Sequence, residues 1–164
     1  MPLIRHATPS DLPGILDIYN DAVERTTAIW NETPADLANR REWYDSRIAA
    51  NQPVLVAMRG ETVLAYASYG PFRPFEGFRA TAELSLYVSA RERGQGLGRM
   101  LLEALIVEAE RRGIHVLVAG IEAGNAPSIR LHQTLGFRET GRMPEVGRKF
   151  GRWLDLVLMQ RTIV

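Results

Sequence analysis

The chain has 164 residues, 46% apolar and 24% charged, with a formal net charge of +1; this is the profile of one globular domain, 1–164, long enough to bury a core. So small a charge gives no bulk electrostatic reason to expect nucleic acid or an anionic membrane as partner. The absence of cysteine excludes disulfides, thiolate nucleophiles and cysteine-bound zinc. His6, His115 and His132 show no metal-ligand spacing, so no metal is expected. Met1 to Arg5 lacks an apolar leader core and no apolar run reaches membrane-spanning length, so a cytoplasmic location is expected. Lys149 is the only lysine.

Leu3 to Ala7 reads as a first strand. Ser10 reads as the N-cap of a helix carrying Leu12, Ile15, Leu16, Ile18, Tyr19 and Val23. Thr33-Pro34 opens a second helix, with Pro34 at its first position, that runs to about Ala50 and buries Leu37, Trp43, Tyr44 and Ile48. Val54–Met58 and Thr62–Tyr69 read as strands joined by a hairpin turn at Arg59-Gly60-Glu61. Gly70 to Arg79 is a loop rich in aromatics, arginine, proline and glycine. Thr81 to Ser89 is a strand in which Leu84, Leu86 and Val88 alternate with Glu83, Ser85 and Tyr87. A helix from about Leu97 to Arg112 is stopped by Gly113. Val116–Ile121 is apolar throughout, as in a strand covered on both faces. A short helix, Ala126–Leu135, is capped by Asn125 and ended by Gly136. Phe137–Thr140 and Trp153–Ile163 read as closing strands. The order β-α-α-β-β-β-α-β-α-β-β predicts one mixed α/β sheet with helices on both faces.

The most informative stretch is Arg93-Gly94-Gln95-Gly96-Leu97-Gly98-Arg99, between a strand and a long helix. Glycines at alternate positions let a ligand approach the backbone, and the helix start offers unpaired N–H groups with partial positive charge. A pyrophosphate fits such a site. A P-loop would need glycine and then lysine where Arg99 and Met100 stand. A dinucleotide fingerprint would need its third glycine at Arg99, although Gly94, Gly96 and an acid at Glu122 otherwise mimic it.

The loop fully matches the Arg/Gln-x-x-Gly-x-Gly/Ala signature of the GCN5-related N-acetyltransferases. The run from Asn125 through Ala126, Leu131 and Leu135-Gly136-Phe137 resembles a second element of that superfamily. The run Ala82 to Ser89, the pairs Tyr19-Asn20 and Ile29-Trp30, and the segment Gly147 to Asp155 resemble the phosphinothricin and methionine sulfoximine N-acetyltransferase subgroup over nearly the whole chain. This resemblance implies a mostly antiparallel sheet splayed at an acetyl-CoA site. It also implies acetylation of the α-amino group of a small amino acid analogue, and a homodimer aided by the apolar strand Leu154–Ile163.

Acetyl transfer to an amine requires a base, a polarised carbonyl and juxtaposed reactants. By the resemblance Glu83 is the base, acting directly or through one water. Backbone N–H groups near Tyr87 and Val88 polarise the carbonyl. Arg93, Gly94, Gln95, Gly96, Leu97, Gly98 and Arg99 hold the pyrophosphate, and Asn125 and Ser128 contact the pantetheine side. The superfamily often has a tyrosine on the downstream helix to protonate the leaving thiolate; here His132 stands there, as the acid or as a packed structural histidine. For the substrate, Arg73, with Arg79 second, suits a carboxylate. Phe75, Trp30 and Tyr87 could wall its pocket, beside Glu83, Leu84 and Ser85. A protein or peptide N-terminal acetyltransferase and a non-catalytic acyl-CoA-binding module are the alternatives.

Overall fold

The computed structural model describes residues 1–163. The chain runs β1 (Leu3–His6), α1 (Leu12–Arg25), α2 (Leu37–Ala49), β2 (Val54–Arg59), β3 (Thr62–Pro71), β4 (Thr81–Val88), α3 (Leu97–Arg111), β5 (Val116–Glu122), α4 (Ala126–Thr134), β6 (Arg138–Lys149) and β7 (Arg152–Thr162). This is the order the hydrophobic periods predict. The strands form one sheet in the order β1-β2-β3-β4-β5-β7-β6. Only β4 and β5 pair in parallel; every other neighbour is antiparallel.

Side-chain alternation in β2 shows how the layers form. Leu55 and Ala57 join the core beneath α3, which contributes Leu97, Leu101, Leu102 and Leu105. Val54, Val56 and Met58 point the other way, into the core made with Leu12, Ile15 and Ile18 of α1 and with Trp43 and Tyr44 of α2. Both faces are thus covered, and β2 is apolar without interruption. Each fully buried leucine of α3 contributes about 1.5–3 kcal/mol of burial, which fixes that helix and the loop before it against the sheet.

Several local expectations change. Ser10 does not cap α1; a 3-10 turn, Pro9–Asp11, precedes the helix. Asp11 accepts the Thr8 N–H at 2.7 Å and is held by Arg5 at 2.7 and 2.9 Å. Helix α2 starts at Leu37 rather than near Pro34, because the Asp36 carboxylate takes the Asn39 N–H at 2.8 Å. Leu37 and Ile48 are exposed, and Arg40 is the buried residue of that helix. Strand β6 is far longer than Phe137–Thr140. Its pairing with β7 slips between Glu139 and Gly141 and again between Met143 and Gly147. Each slip shifts the face to which side chains point, which erases the period-two signal. At the second slip Glu145 has φ +53° and its N–H donates to Asp155 Oδ1 at 2.8 Å.

Candidate active site

The site begins where the parallel pair ends. Register between β4 and β5 runs from Thr81–Val116 to Leu84–Ala119 and stops. Beyond it β4 stays on β3 through Val88, while β5 follows β7 through Glu122. The strands diverge, and the β5-facing backbone edge of residues 85–88 has no strand partner. A cleft of about 800 Å³ opens at this fork, between the start of α3, the start of α4, the end of α1 and the β6–β7 turn.

At its floor Gly94 and Gly96 have φ of +76° and +81°, with nothing within 4 Å of a hypothetical Cβ. Glycine is required there for backbone conformation. Gly98 has a different role: a Cβ there would lie 3.1 Å from Leu131 Cδ2, so its missing side chain lets α3 approach α4. The Gly96 carbonyl accepts from Met100 N at 3.1 Å. The Leu97, Gly98 and Arg99 N–H groups ahead of it have no intrahelical acceptor. Asn125 Oδ1 accepts the Ser128 N–H at 3.3 Å and so starts α4 on the opposite wall.

Tyr87, Val88, Arg93, Gly94, Gly96, Leu97, Gly98, Arg99, Asn125 and Ser128 all line the cleft; Gln95 does not. Arg99 pairs with Glu103 at 2.9 Å. Glu122, the acid of the dinucleotide mimicry, also lines the cleft; it accepts from Gly124 N at 3.0 Å and from Thr27 Oγ1 at 3.3 Å, which ties the end of β5 to the segment after α1. Two further walls were not among the expected site residues: Thr26–Ala28 after α1, and Phe150 with Arg152 at the hairpin. The first carries no motif; the second lies in the segment Gly147 to Asp155, whose resemblance named no role for it.

Those two walls are joined by Lys149. Its side chain is fully buried, and Nζ donates to the carbonyls of Thr26 at 2.7 Å, Ile29 at 2.5 Å and Ala22 at 3.5 Å. Burial pushes its pKa down, opposed by the charge of Glu32. Glu32 also accepts the Phe150 N–H at 3.1 Å.

Glu83 lies beside the cleft, outside its lining, with Oε1 3.7 Å from where a Gly120 Cβ would be. The residue is open to solvent on one side while β5 crowds the other. Desolvation raises its pKa, and the nearby positive charge of Arg73 partly opposes the rise. Arg73 stacks at 5.1 Å on Phe72 in an exposed loop. Phe75 is 71% exposed and lies outside the lining of the cleft. Trp30 donates to Thr27 O at 2.9 Å and lies against Gly147, where a Cβ would collide with the indole. Leu84 is in the core with α3, so only its backbone is free to meet a substrate.

His132 is 3% exposed and stands edge-on to Phe137 at 5.1 Å. With Ser85 and Asn125 it lines a cavity of about 60 Å³ in the fork. Nδ1 lies 2.7 Å from Ser128 O, an acceptor only, so Nδ1 carries the proton. Nε2 then presents a lone pair, and it is buried without a partner. Burial lowers the His132 pKa, and the bond to Ser128 partly offsets this.

An open strand edge, a left-handed glycine loop at a helix start and a carboxylate beside the fork together define an acyltransferase site. Residues 15–137 match the family described as Acetyltransferase (GNAT) family. The L-methionine sulfoximine/L-methionine sulfone acetyltransferase of Pseudomonas aeruginosa is 63% identical over 159 residues, 96% of this chain and 92% of that protein. The structure of the ribosomal-protein-alanine N-acetyltransferase of Brucella melitensis superposes with a TM-score of 0.96 at 62% identity, over 98% of this chain and 99% of that one. A phosphinothricin acetyltransferase from Sinorhizobium meliloti, solved with AcCoA, superposes with a TM-score of 0.95 at 34% identity, over 98% and 88%. The chain belongs to the GNAT acetyltransferase family.

Proposed function

We propose that this enzyme transfers the acetyl group of acetyl-CoA to the α-amine of a small amino acid analogue such as methionine sulfoximine, methionine sulfone or phosphinothricin. The observation that carries this reading is the β4–β5 fork, with a free backbone edge, an anion-binding helix start and Glu83 on one strand. The residues fit the co-substrate. The Leu97, Gly98 and Arg99 N–H groups receive the pyrophosphate, Asn125 and Ser128 flank the pantetheine, and the 85–88 edge pairs with it as an added strand would. The N–H groups of that edge also stabilise the developing oxyanion.

Glu83 takes the first proton from the substrate ammonium, directly or through a water, and frees the lone pair that attacks the thioester carbon. The C–N bond forms and the C–S bond breaks. A neutral His132 with a bare Nε2 is not a standing acid. It takes up the second proton shed by the amine nitrogen and hands it to the departing thiolate. Arg73, whose charge acts on Glu83, receives the substrate carboxylate beside that residue.

The homodimer belongs to the same reading, on a changed basis. Strand β7 is interior to the sheet, so the free edge on its side is β6, where Met143, Val146 and Trp153 are exposed nearby. No described helix is long and apolar enough to cross a membrane. The cytoplasmic placement is part of the proposal.

A thiol-release assay with acetyl-CoA over these three compounds, ordinary amino acids and short peptides tests the assignment. Turnover confined to the small analogues is expected. Turnover of peptides alone would move it to protein N-terminal acetylation. Acetyl-CoA binding with no acceptor at all would make the chain an acyl-CoA-binding module.

A further inference from the structure

The register of β3 on β4 places Gly70 opposite Glu83, Ser68 opposite Ser85 and Tyr66 opposite Tyr87. Directly paired residues share a face, so these six positions form two adjacent stripes, with Cβ positions about 5 Å apart across the pair. Helix α2 covers that face with a stripe of its own, Arg40, Trp43 and Arg47, at helical spacing. Trp43 meets Tyr66 edge-on at 5.9 Å, and Arg40 lies over the Tyr19 ring at 4.0 Å. At the far end Arg47 drops onto Gly70: a Cβ there would fall 2.7 Å from Arg47 Cζ. The guanidinium therefore reaches the sheet in the row of Glu83, and glycine at position 70 is what admits it.

Among the described residues neither arginine forms an ion pair. Arg40, 8% exposed, donates only to Asn39 Oδ1, at 3.1 and 2.9 Å. Arg47 Nε is buried with no acceptor, and so is the Tyr66 hydroxyl. Arg40 is buried and Arg47 half-buried, both without a counterion, and an incoming anion offsets the cost of that placement.

We propose that Arg47, backed by Arg40, is a subsite for the α-carboxylate of the acceptor amino acid; this rests on the acetyl-transfer reading above. The ammonium and carboxylate of an amino acid share one carbon, so their recognition groups must be neighbours. Glu83 and Arg47 occupy one row of the sheet. The guanidinium fork matches a carboxylate with two parallel hydrogen bonds. The substrate class is then the free α-amino acid. A peptide N-terminus, whose corresponding carbonyl is a neutral amide, is disfavoured.

The test compares L-methionine sulfone with its primary carboxamide, on the parent enzyme and on Arg47→Gln. The parent should prefer the free acid. Loss of a charge-assisted hydrogen bond predicts a fall of about 10- to 100-fold in kcat/KM for the acid in the variant, carried by KM. The carboxamide should change less than about threefold, with the KM for acetyl-CoA unmoved. Equal losses on both substrates, or no loss on either, overturn the subsite. A parent enzyme that uses acid and amide alike overturns the subsite and leaves the acetyltransferase reading standing, whereas one that uses neither sinks both. If Arg47→Gln does not hold its fold by circular dichroism, Arg47→Lys gives the same comparison. It keeps the charge and loses the fork, and should lose about tenfold on the acid alone.

Discussion

Replacing Glu83 by glutamine keeps the shape of the side chain and removes its basicity. A positioned general base contributes about 10²- to 10⁴-fold to a rate. Glu83 is open to solvent on one side, so bulk water can stand in for it in part, and a fall in kcat of about 10²-fold is expected rather than the upper figure. The carboxylate is not among the residues lining the cleft, so the KM for acetyl-CoA should stay where it was. The α-amine of a free amino acid, with an ionised carboxylate beside it, titrates above the roughly pH 8 of a chain N-terminus, so well under about a tenth is neutral at pH 7. The variant should therefore recover by more than about tenfold between pH 7 and pH 9, while the parent changes much less. Because desolvation raises the Glu83 pKa, the acid limb of the parent kcat/KM profile should lie above the ordinary carboxylate range and vanish in the variant. The stability effect has the opposite sign. A carboxyl whose folded pKa is raised binds more protons folded than unfolded, so it lowers stability as pH climbs through that pKa. Glu83→Gln should melt at or above the parent temperature at neutral pH. The assays are thiol release with methionine sulfone across pH 5–9 and a thermal melt at pH 7.5. A kcat within threefold of the parent, with an unchanged profile, would refute the assignment.

Four further outcomes follow from other parts of the structure. Gly94→Ala forces a side chain onto a left-handed backbone in open space; it should cost about 1–2 kcal/mol of stability and weaken acetyl-CoA binding by calorimetry. Gly98→Ala, with ordinary backbone, should act through crowding of Leu131 instead. His132 should titrate below the ordinary histidine range by NMR, because burial disfavours its cation. The unfolded chain then binds the extra proton first, so this stabilisation is full above about pH 6.5 and is lost as pH falls through the ordinary and then the lowered pKa. Lys149→Met strips the donor from three buried carbonyls. It should destabilise by about 1–3 kcal/mol and speed amide exchange across residues 26–32.

The fold was legible because most elements carry a clear period. The covered strand Val116–Ile121, the alternation from Leu84 to Val88 and the glycine stops at 113 and 136 all stand where the pattern placed them. The reading failed where one local signal outweighed another. Pro34 looked like a helix start, yet Asp36 holds the cap. The β6 strand is bulged, so its alternation is broken twice. The glycine wall of the cleft was legible because one contiguous segment, residues 93–99, supplies it. The proposed carboxylate subsite was not: Arg40 and Arg47 carry no motif, and only the pairing of Gly70 with Glu83 brings Arg47 to the row of Glu83. Lys149 passed as part of a matching segment, since three carbonyls more than a hundred residues away supply its meaning.

That lysine also decides what reagents can do to the folded enzyme. It is the chain's only ε-amine, and it has no solvent exposure. The surface therefore offers acetyl thioesters no lysine to modify, and an enzyme that handles such a thioester in every turnover is protected from slow self-labelling at side chains. A label on Lys149 would report that its side chain had left its three carbonyls, which makes an ordinary acylating reagent a direct counter of unfolding events.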